Sequence, residues 1–421
     1  MEGKRHDVVI AGSGPAGAVA ALTLARAGAD VLLVDPGRFP RDKACGDVVG
    51  PRGVAALADL GVLPDAARPA GDVQLVGPDW RATRLPWPAH ADGAGPMIVA
   101  RTTLDGALRD AAVRAGAEPR TARVTGVAPG EAGVAVTLDD GQRLSAGFII
   151  GADGAMSRVA SAVGMLRPER SLWGFALRAY VPFVASAPHI VLWAPDGRRP
   201  LPGYGWLFPA GVGCANVGLG VAVGAQRTHA ALAGRLLPAF VAALEARGML
   251  ERPAPLRPRR GGWMRMGLAG CSVAAGPVLL AGDAAALVNP LQGEGIAEAV
   301  TSGRAAAEAI LSRPGDAAAA YRHALHDAFG AFQARAGALH ALAINRPRLR
   351  SVAARGLTAP MPGRLAAPGW AAWWNDLART TPPGRQRAAA AVIGAAASVA
   401  TVAAPRRREV VRALTTGAKL A

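Results

Sequence analysis

The sequence predicts an α/β protein in which a parallel sheet covered by helices is joined to a separate antiparallel sheet and followed by a helical C-terminal region. Three observations support this prediction. The first 35 residues alternate an apolar strand, an Ala-rich helix and a second apolar strand. Glycine-rich turns follow three well-separated apolar runs. Residues 172–222 are rich in strand patterns that lack intervening helices.

The N-terminal segment forms a compact βαβ unit. Strands are predicted over 7–11 and 31–34, with a helix over 15–27 that ends at Gly28. The turn before the helix has the GxGxxG pattern of Rossmann-like dinucleotide-binding units, in which glycines allow a tight turn and a close approach of backbone to a pyrophosphate. An acid at the end of the second strand would accept from ribose hydroxyls. The residues expected to hold the dinucleotide here are Gly12, Gly14, Pro15, Ala16, Gly17, Asp35 and Pro36.

Local patterns predict the elements of the remaining chain. Helices are expected over 51–60, 104–115 (capped by Thr102 or Thr103), 228–247 and from about 293. Strands are expected over 72–76, 97–100, 122–128, 133–138, 143–150, 173–184, 190–193, 206–208, 215–223 and 277–281. Arg257-Pro258-Arg259-Arg260 is expected to be a linker, and the chain from 318 onward to be helical.

These elements predict a discontinuous dinucleotide-binding domain. It comprises residues 1–70, 97–165 and 262–315. Residues 71–96 and 166–261 form an antiparallel-sheet substrate domain, and residues 316–421 form the helical C-terminal region.

Composition and charge narrow the class of protein. The chain has 421 residues and a formal net charge of +17, and nearly all of its basic residues are arginine. Such a charge favours an anionic partner, although abundant arginine with little lysine also fits a coding bias. No zinc-finger, helix-turn-helix or aromatic RNA-binding pattern accompanies it, so we expect no nucleic-acid partner.

The cysteines and the N-terminus bear on the compartment. Cys45, Cys214 and Cys271 are odd in number and lack CxxC spacing, which favours a reducing compartment. The first predicted strand begins directly after His6, which leaves no room for a signal peptide before it. A cytoplasmic location is therefore expected.

The uncharged stretch Ala388 to Ala404, flanked by Arg385, Arg387 and 406–408, is weakly apolar for a membrane span. It favours a buried or interface helix, and the alternative is peripheral contact with a membrane surface.

Two further glycine motifs turn the dinucleotide prediction into a flavin prediction. Gly151-Ala152-Asp153-Gly154 closes an apolar run, and Gly282-Asp283 follows another and precedes the segment 290–295. Three strand-terminal motifs in this order suit FAD, a dinucleotide with a large redox-active head. Asp283 would bind the ribityl chain, and Asp153 would lie near the cofactor. The helix N-terminus at Gly293, Gly295 and Ile296 would face the pyrimidine edge of the flavin.

The order of these motifs resembles that of the FAD-dependent monooxygenase superfamily, which is related in fold to p-hydroxybenzoate hydroxylase. Two segments narrow the resemblance. Residues 39–47 (FPRDKACGD) resemble the PRxKxCG element of the geranylgeranyl reductase family, and 203–209 (GYGWLFP) resemble its YxWxFP strand. Residues 282–296 match the same family, and the similarity covers about 6–310.

The resemblance implies a GR2/PHBH-type FAD-binding domain and a flavoprotein that saturates isolated C=C bonds in long, apolar prenyl chains. It also implies that Cys45 and Gly46 lie at the cofactor, that Arg101 contacts FAD, and that the backbone of Val124 meets the adenine.

Alkene reduction requires a hydride from reduced flavin to one carbon and a proton to the other. Cys45 and Tyr204 are the candidate proton donors, and Lys43 and Arg41 are expected to lower the pKa of Cys45. Alternatively, Cys45 packs against the flavin ring, and Tyr204 and Trp206 form the aromatic wall of a substrate pocket.

The electron donor and two other functions remain open. No second Rossmann pattern is present, so NAD(P)H or a reduced carrier protein would dock transiently. His323 and His326 lack the neighbours of a metal site, and no metal is expected. One alternative is an oxygen-using monooxygenase or halogenase-like tailoring enzyme that acts on an aromatic or polyketide substrate. The other is a non-enzymatic FAD-stabilised interaction or membrane protein. The sequence leaves the oligomeric state open.

Overall fold

A computed structural model describes residues 5–85, 93–183, 187–211, 213–223, 230–251, 256 and 259–359. The strands are β1 (Arg5–Ala11), β2 (Val31–Asp35), β3 (Val48–Val49), β4 (Arg68–Pro69), β5 (Val73–Val76), β6 (Ala82–Leu85), β7 (Met97–Ile98), β8 (Glu118–Thr121), β9 (Val124–Gly130), β10 (Gly133–Leu138), β11 (Arg143–Gly151), β12 (Leu172–Val181), β13 (His189–Val191), β14 (Gly203–Pro209), β15 (Ala215–Val223), β16 (Arg259–Met266), β17 (Ala274–Ala275) and β18 (Val278–Leu280). The helices are α1 (Pro15–Arg26), α2 (Pro51–Asp59), α3 (Arg101–Arg114), α4 (Arg158–Ala162), α5 (Ala230–Glu245), α6 (Ile296–Ser312), α7 (Ala317–Leu325), α8 (Ala331–Asn345) and α9 (Pro347–Thr358).

The larger sheet is mainly parallel and has the order β17-β18-β11-β1-β2-β8, with β9 and β10 added as an antiparallel hairpin on β11. Its central strands are buried on both faces, and Val8, Val9 and Ile10 have no exposed surface. Burial of each such side chain contributes about 1.5–3 kcal/mol. Helices cover the sheet. Among them, α1 packs against both α3 and α6.

This sheet brings the three glycine motifs together. Ala11 at the end of β1 lies beside Gly151 at the end of β11, and Gly151 in turn lies beside Leu280 at the end of β18. Because parallel strands end at the same edge, the three turns that follow them share one crevice.

A second sheet of seven strands has the order β16-β12-β15-β14-β13-β5-β6. Its pairs are antiparallel except for β13 with β5. One face packs against α5, where Phe240 and Leu237 are fully buried. A third, small sheet has the order β3-β7-β4. The α/β fold class with a mainly parallel sheet, an antiparallel sheet and helices after them is confirmed.

Several predicted elements are wrong in detail. Arg259 and Arg260 are not a linker: they begin β16, which pairs with β12 through residue 266. Helix α3 begins at Arg101 with Ala100 as its N-cap, so neither Thr102 nor Thr103 caps it. Helix α6 begins at Ile296, three residues after the expected start. The predicted helix over 388–404 lies outside the described residues.

Candidate functional site

The first glycine turn is pressed against the second. Gly12 has a φ of +102°, and a Cβ there would lie 2.3 Å from the carbonyl oxygen of Ala152. A Cβ on Gly17 would lie 1.8 Å from the carbonyl oxygen of Gly12. Both positions therefore require glycine, and Ala16 is buried on the same helix turn.

Asp35 holds this turn from the end of β2. Its carboxylate accepts hydrogen bonds from the backbone amides of Ser13 and Gly37, each at 2.7 Å. The Arg41 guanidinium lies 3.6 Å from the same carboxylate. Asp35, followed by Pro36, thus forms part of the turn itself, and its contact with a ribose stays a prediction.

The N-terminus of α1 is open toward a ligand. Gly14 is the N-cap, and no side chain caps the helix, so its first amides are free to bind an anion. A Cβ on Gly14 would meet only the Arg41 Nη2 atom, at 3.6 Å. The turn therefore has both the space and the donors for a pyrophosphate.

The third motif forms the other end of the crevice. Gly282 has a φ of +59° and opens a short 3₁₀ turn through Ala285. The Asp283 carboxylate lies 3.7 Å from the Lys43 Nζ atom. Helix α6 then begins at Ile296, with Gly295 as an N-cap that has no capping side chain.

Two buried polar atoms beside this turn lack a hydrogen-bond partner among the described residues. They are Nδ2 of Asn289 and Oε1 of Gln292. A donor and an acceptor at a helix N-terminus suit the C=O and N–H groups on the edge of a flavin ring. With the open α1 terminus, these residues fit FAD.

The side chains of Asp153 and Val124 make contacts within the protein. The Asp153 carboxylate accepts from the Ser157 hydroxyl at 2.5 Å and from the amide of Arg158 at 2.7 Å, at the start of α4. Burial raises the pKa of Asp153 despite these bonds. Val124 is buried at the start of β9. Their predicted contacts with the cofactor stay predictions.

A cavity of about 530 Å³ extends from the crevice between the two sheets. Its lining includes these predicted site residues: Pro15, Cys45, Gly46, Arg101, Tyr204, Trp206, Asp283, Gly293, Gly295 and Ile296. The rest of the lining is mostly apolar and includes Leu201, Trp263 and Met264 together with Leu339, Leu349 and Leu357 of α8 and α9. The structure therefore joins the flavin motifs to an apolar chamber.

Cys45 is half-buried and lines this cavity. Burial raises the pKa of its thiol, and the nearby Arg101 guanidinium only partly opposes that effect. The sequence-based expectation that Lys43 and Arg41 lower this pKa is wrong, because Lys43 pairs with Asp283 and Arg41 lies beside Asp35. The Cys45 thiol therefore keeps its proton at neutral pH.

Arg101 is held within α3. Its guanidinium donates two hydrogen bonds of 2.7 Å to Asp105, one turn later, and both residues are buried. This bidentate pair fixes the guanidinium beside Cys45. A direct contact of Arg101 with FAD stays a prediction.

A buried polar network below Cys45 was missed by the sequence analysis. Asp47, which has no exposed surface and a φ of +64°, accepts from the Tyr180 hydroxyl at 2.5 Å and from Asn216 Nδ2 at 2.8 Å. Asn216 Nδ2 also donates to the carbonyl of Cys45 at 2.8 Å. Trp206 Nε1 donates to Asn216 Oδ1 at 2.9 Å. These bonds fix the Cys45 loop against the aromatic strand β14.

The same loop is tied to β12 on its other side. The Arg178 guanidinium donates to the Asp42 carboxylate and lies 4.2 Å from the centre of the Tyr180 ring. Arg178 has no exposed surface, so its charge depends on this partner. Both sides of segment 42–47 are therefore held by the antiparallel sheet.

Tyr204 and Trp206 form an aromatic wall with Phe208. The ring centres of Trp206 and Phe208 are 6.3 Å apart in a stacked arrangement, and Tyr204 meets Trp206 edge-on. The Tyr204 hydroxyl donates to the carbonyl of Gln292, and burial raises its pKa. Gly46 packs against Phe208, because a Cβ there would lie 2.9 Å from that ring.

The described residues contain neither a cluster of metal ligands nor a helix that could span a membrane. No group of three or more His, Cys, Asp and Glu side chains could hold a metal ion. No helix within the described ranges is both long and apolar enough to cross a bilayer.

Comparison with known proteins agrees with this site. Residues 5–183 match the family model for an FAD binding domain. The menaquinone reductase of Mycolicibacterium smegmatis is 40% identical over 326 residues, which cover 73% of this chain and 77% of that protein. Digeranylgeranylglycerophospholipid reductase 2 of Methanopyrus kandleri is 30% identical, with 72% and 76% covered.

A solved structure shares the fold. The geranylgeranyl bacteriochlorophyll reductase-like protein of Thermoplasma acidophilum superposes with a TM-score of 0.68 at 20% identity, over 90% of this chain and 97% of that one. The predicted family and the predicted FAD-binding domain are thereby confirmed. The chain belongs to the geranylgeranyl reductase family and is an FAD-dependent oxidoreductase.

Proposed function

We propose that this enzyme saturates an isolated C=C bond in the prenyl tail of an apolar substrate, most simply a prenylated quinone. The observation that carries the proposal is the cavity, which joins the flavin motifs to an apolar chamber lined by α8 and α9. The name of the menaquinone reductase relative supports the substrate class, because menaquinone carries a prenyl tail.

The residues around the cavity have different roles in the proposed reaction. FAD, when bound and reduced, supplies a hydride to one alkene carbon. The second carbon takes a proton, for which the half-buried thiol of Cys45 is the better-placed donor, since its raised pKa keeps it protonated. The resulting thiolate regains a proton from solvent, so the net change is the addition of two hydrogens. Tyr204 instead orients the 292–293 turn, because its hydroxyl already donates to Gln292.

NAD(P)H or a reduced carrier protein would deliver the electrons. The described residues hold a single GxGxxG turn, at 12–17, so this donor would dock transiently. Anaerobic reduction of the bound flavin by NADPH, NADH and a reduced ferredoxin, followed at the flavin absorption band, identifies the donor. Reduction by dithionite alone would contradict this part of the proposal.

The decisive experiment separates reduction of the tail from reduction of a quinone ring. Holoenzyme reduced anaerobically with dithionite is mixed with menaquinone, and flavin reoxidation is followed. The extract is then exposed to air, which returns any quinol to quinone but leaves a saturated tail unchanged. Mass spectrometry should show a gain of two hydrogens for each bond reduced.

Two results would contradict the proposal. Flavin reoxidation without a lasting mass gain would show that only the ring is reduced. Rapid oxygen consumption with an oxygenated or halogenated product would support the monooxygenase-like alternative. A menaquinone with a fully saturated tail is the matched control, since it leaves the ring available and removes the alkene.

A further inference from the structure

Helix α9 presents a solvent-exposed face that combines arginines with large apolar side chains. Arg348, Leu349, Val352 and Arg355 recur at helical spacing and are all exposed. Leu349 is 54% exposed and Val352 is 70% exposed, while Ala354 and Thr358 on the opposite side are buried. We call these four exposed residues the α9 face.

The charged residues of the chain segment that contains this face have one sign. Residues 328–359 contain Arg335, Arg346, Arg348, Arg350 and Arg355 and no aspartate or glutamate. Arginines beside exposed Leu and Val side chains are the pattern of a helix that lies in the headgroup layer of a bilayer. A protein partner with an apolar patch alone would not require the arginines.

The α9 face borders the mouth of the cavity. Leu349 is part of both the face and the cavity lining, and Ala353 next to it also lines the cavity. The Arg350 Nε atom donates to the carbonyl of Pro200 at 2.9 Å, which fixes α9 against the loop before β14. The exposed face is therefore held beside the part of the cavity that Leu349 and Ala353 line.

We propose that the α9 face binds the surface of an anionic lipid bilayer. Arg348 and Arg355 meet the headgroups, and Leu349 and Val352 enter the layer below them. This contact places the mouth of the cavity against the membrane, from which an apolar substrate can enter without crossing water. The binding itself does not depend on the reaction proposed above, because it can be measured without turnover.

The test uses full-length holoenzyme and sedimentation with vesicles of phosphatidylcholine alone or mixed with phosphatidylglycerol. The wild-type protein should partition onto the anionic vesicles and be released by high salt. Replacing Arg348→Gln together with Arg355→Gln should weaken that partition about 30-fold. Replacing Leu349→Ser together with Val352→Ser should weaken it on both kinds of vesicle.

Matched controls lie elsewhere on the surface. Arg114→Gln with Arg143→Gln removes two exposed arginines from the parallel-sheet unit, and Met156→Ser with Leu311→Ser removes two exposed apolar side chains. Both control variants should bind vesicles as the wild-type protein does. All variants should keep their bound flavin and melting temperature, which shows that they fold.

Three outcomes would overturn the proposal. The first is that the wild-type protein does not bind anionic vesicles. The second is that a control double variant weakens binding as much as the corresponding double variant of the α9 face does. The third is self-association that the Leu349→Ser and Val352→Ser changes abolish in the absence of vesicle binding. That result would make a second copy of the chain the occupant of this face.

Discussion

At the scale of single residues, the environment of Cys45 has two opposing effects on the pKa of its thiol. Loss of water around the sulfur favours the neutral thiol, while the Arg101 guanidinium favours the thiolate. Arg101 is largely committed to Asp105, through two hydrogen bonds, so its effect on the sulfur is reduced. Burial therefore prevails, and the residue suits the release of a proton rather than nucleophilic attack.

This leads to a prediction on pH. If Cys45 donates the proton, flavin reoxidation by the substrate requires the protonated thiol. Its pKa is raised above the ordinary value of about 8.5. The rate should therefore stay level through neutral pH and fall only at higher pH, and Cys45→Ser should lower the plateau by about 100-fold and remove the alkaline decline. Stopped-flow measurement across pH checks both.

Cys214→Ser is the control for this prediction, because Cys214 is also half-buried but does not line the cavity. It should leave both the rate and the pH profile unchanged. An unaltered alkaline decline in Cys45→Ser would assign the proton to another group.

At this scale the sequence could predict the reactive residues but not the hydrogen bonds that hold them in place. Cys45, Tyr204 and Trp206 were recognisable from short motifs, and the structure places all three on one cavity. The hydrogen bonds from Asn216 and Tyr180 to Asp47 link positions 169 and 133 residues apart. Such pairs depend on the register of β12, β14 and β15, which local patterns do not determine.

At the scale of elements, the contact between α1 and α6 positions two of the three cofactor motifs. Gly303 on α6 lies against the backbone of α1, and a Cβ there would be 2.1 Å from the carbonyl oxygen of Ala16. This close approach brings the start of α6, at Ile296, toward the start of α1, at Pro15. Both helix N-termini therefore face the same crevice.

Gly303→Ala tests this contact. The added methyl meets backbone, which cannot move as a flexible side chain would, so the helices must separate. We expect the free energy of unfolding to fall by about 1–3 kcal/mol and the affinity for FAD to weaken. Denaturant unfolding and titration of the apoprotein with FAD measure the two effects.

Gly234→Ala supplies the comparison. Gly234 lies inside α5, and no atom lies within 4 Å of the position that its Cβ would occupy. Alanine there should raise stability by about 0.5–1 kcal/mol, because glycine is the poorer helix former. Equal losses of stability in the two variants would contradict the prediction that the α1–α6 contact requires glycine at position 303.

Elements were predictable where the local pattern was long and were missed where tertiary pairing decides. The apolar runs of β1, β2 and β11 and the helix after Gly14 stand near their predicted bounds. Strand β8 (Glu118–Thr121) has exposed, polar residues and exists because it pairs with β2. The Arg259 strand was missed for the same reason, since two arginines beside a proline favour a loop until β12 pairs with them.

At the scale of the whole molecule, three separate parts of the chain enclose one chamber. The parallel sheet provides the cofactor turns, the antiparallel sheet provides the aromatic wall, and α8 and α9 line the rest of the chamber. The sequence motifs indicated the first two parts. The third part could not be foreseen, because the residues of α8 and α9 carry no motif and their role follows only from where they pack.

The part of the chamber that α9 lines should therefore determine how long a prenyl tail the enzyme accepts. Ala353 lines the cavity on α9, next to its mouth. Ala353→Phe would narrow this part while leaving the flavin motifs and Cys45 untouched. A long prenyl tail must extend through the narrowed region, so its kcat/KM should fall about 10-fold or more, whereas a short tail should react as before.

Val352→Phe is the matched variant, because Val352 lies on the same helix turn but does not line the cavity. It should leave the dependence on tail length unchanged. Measuring kcat/KM for a series of tails with each variant separates steric closure from a general disturbance of α9. If Ala353→Phe slowed short and long tails equally, the tail would have to leave the flavin site by another route.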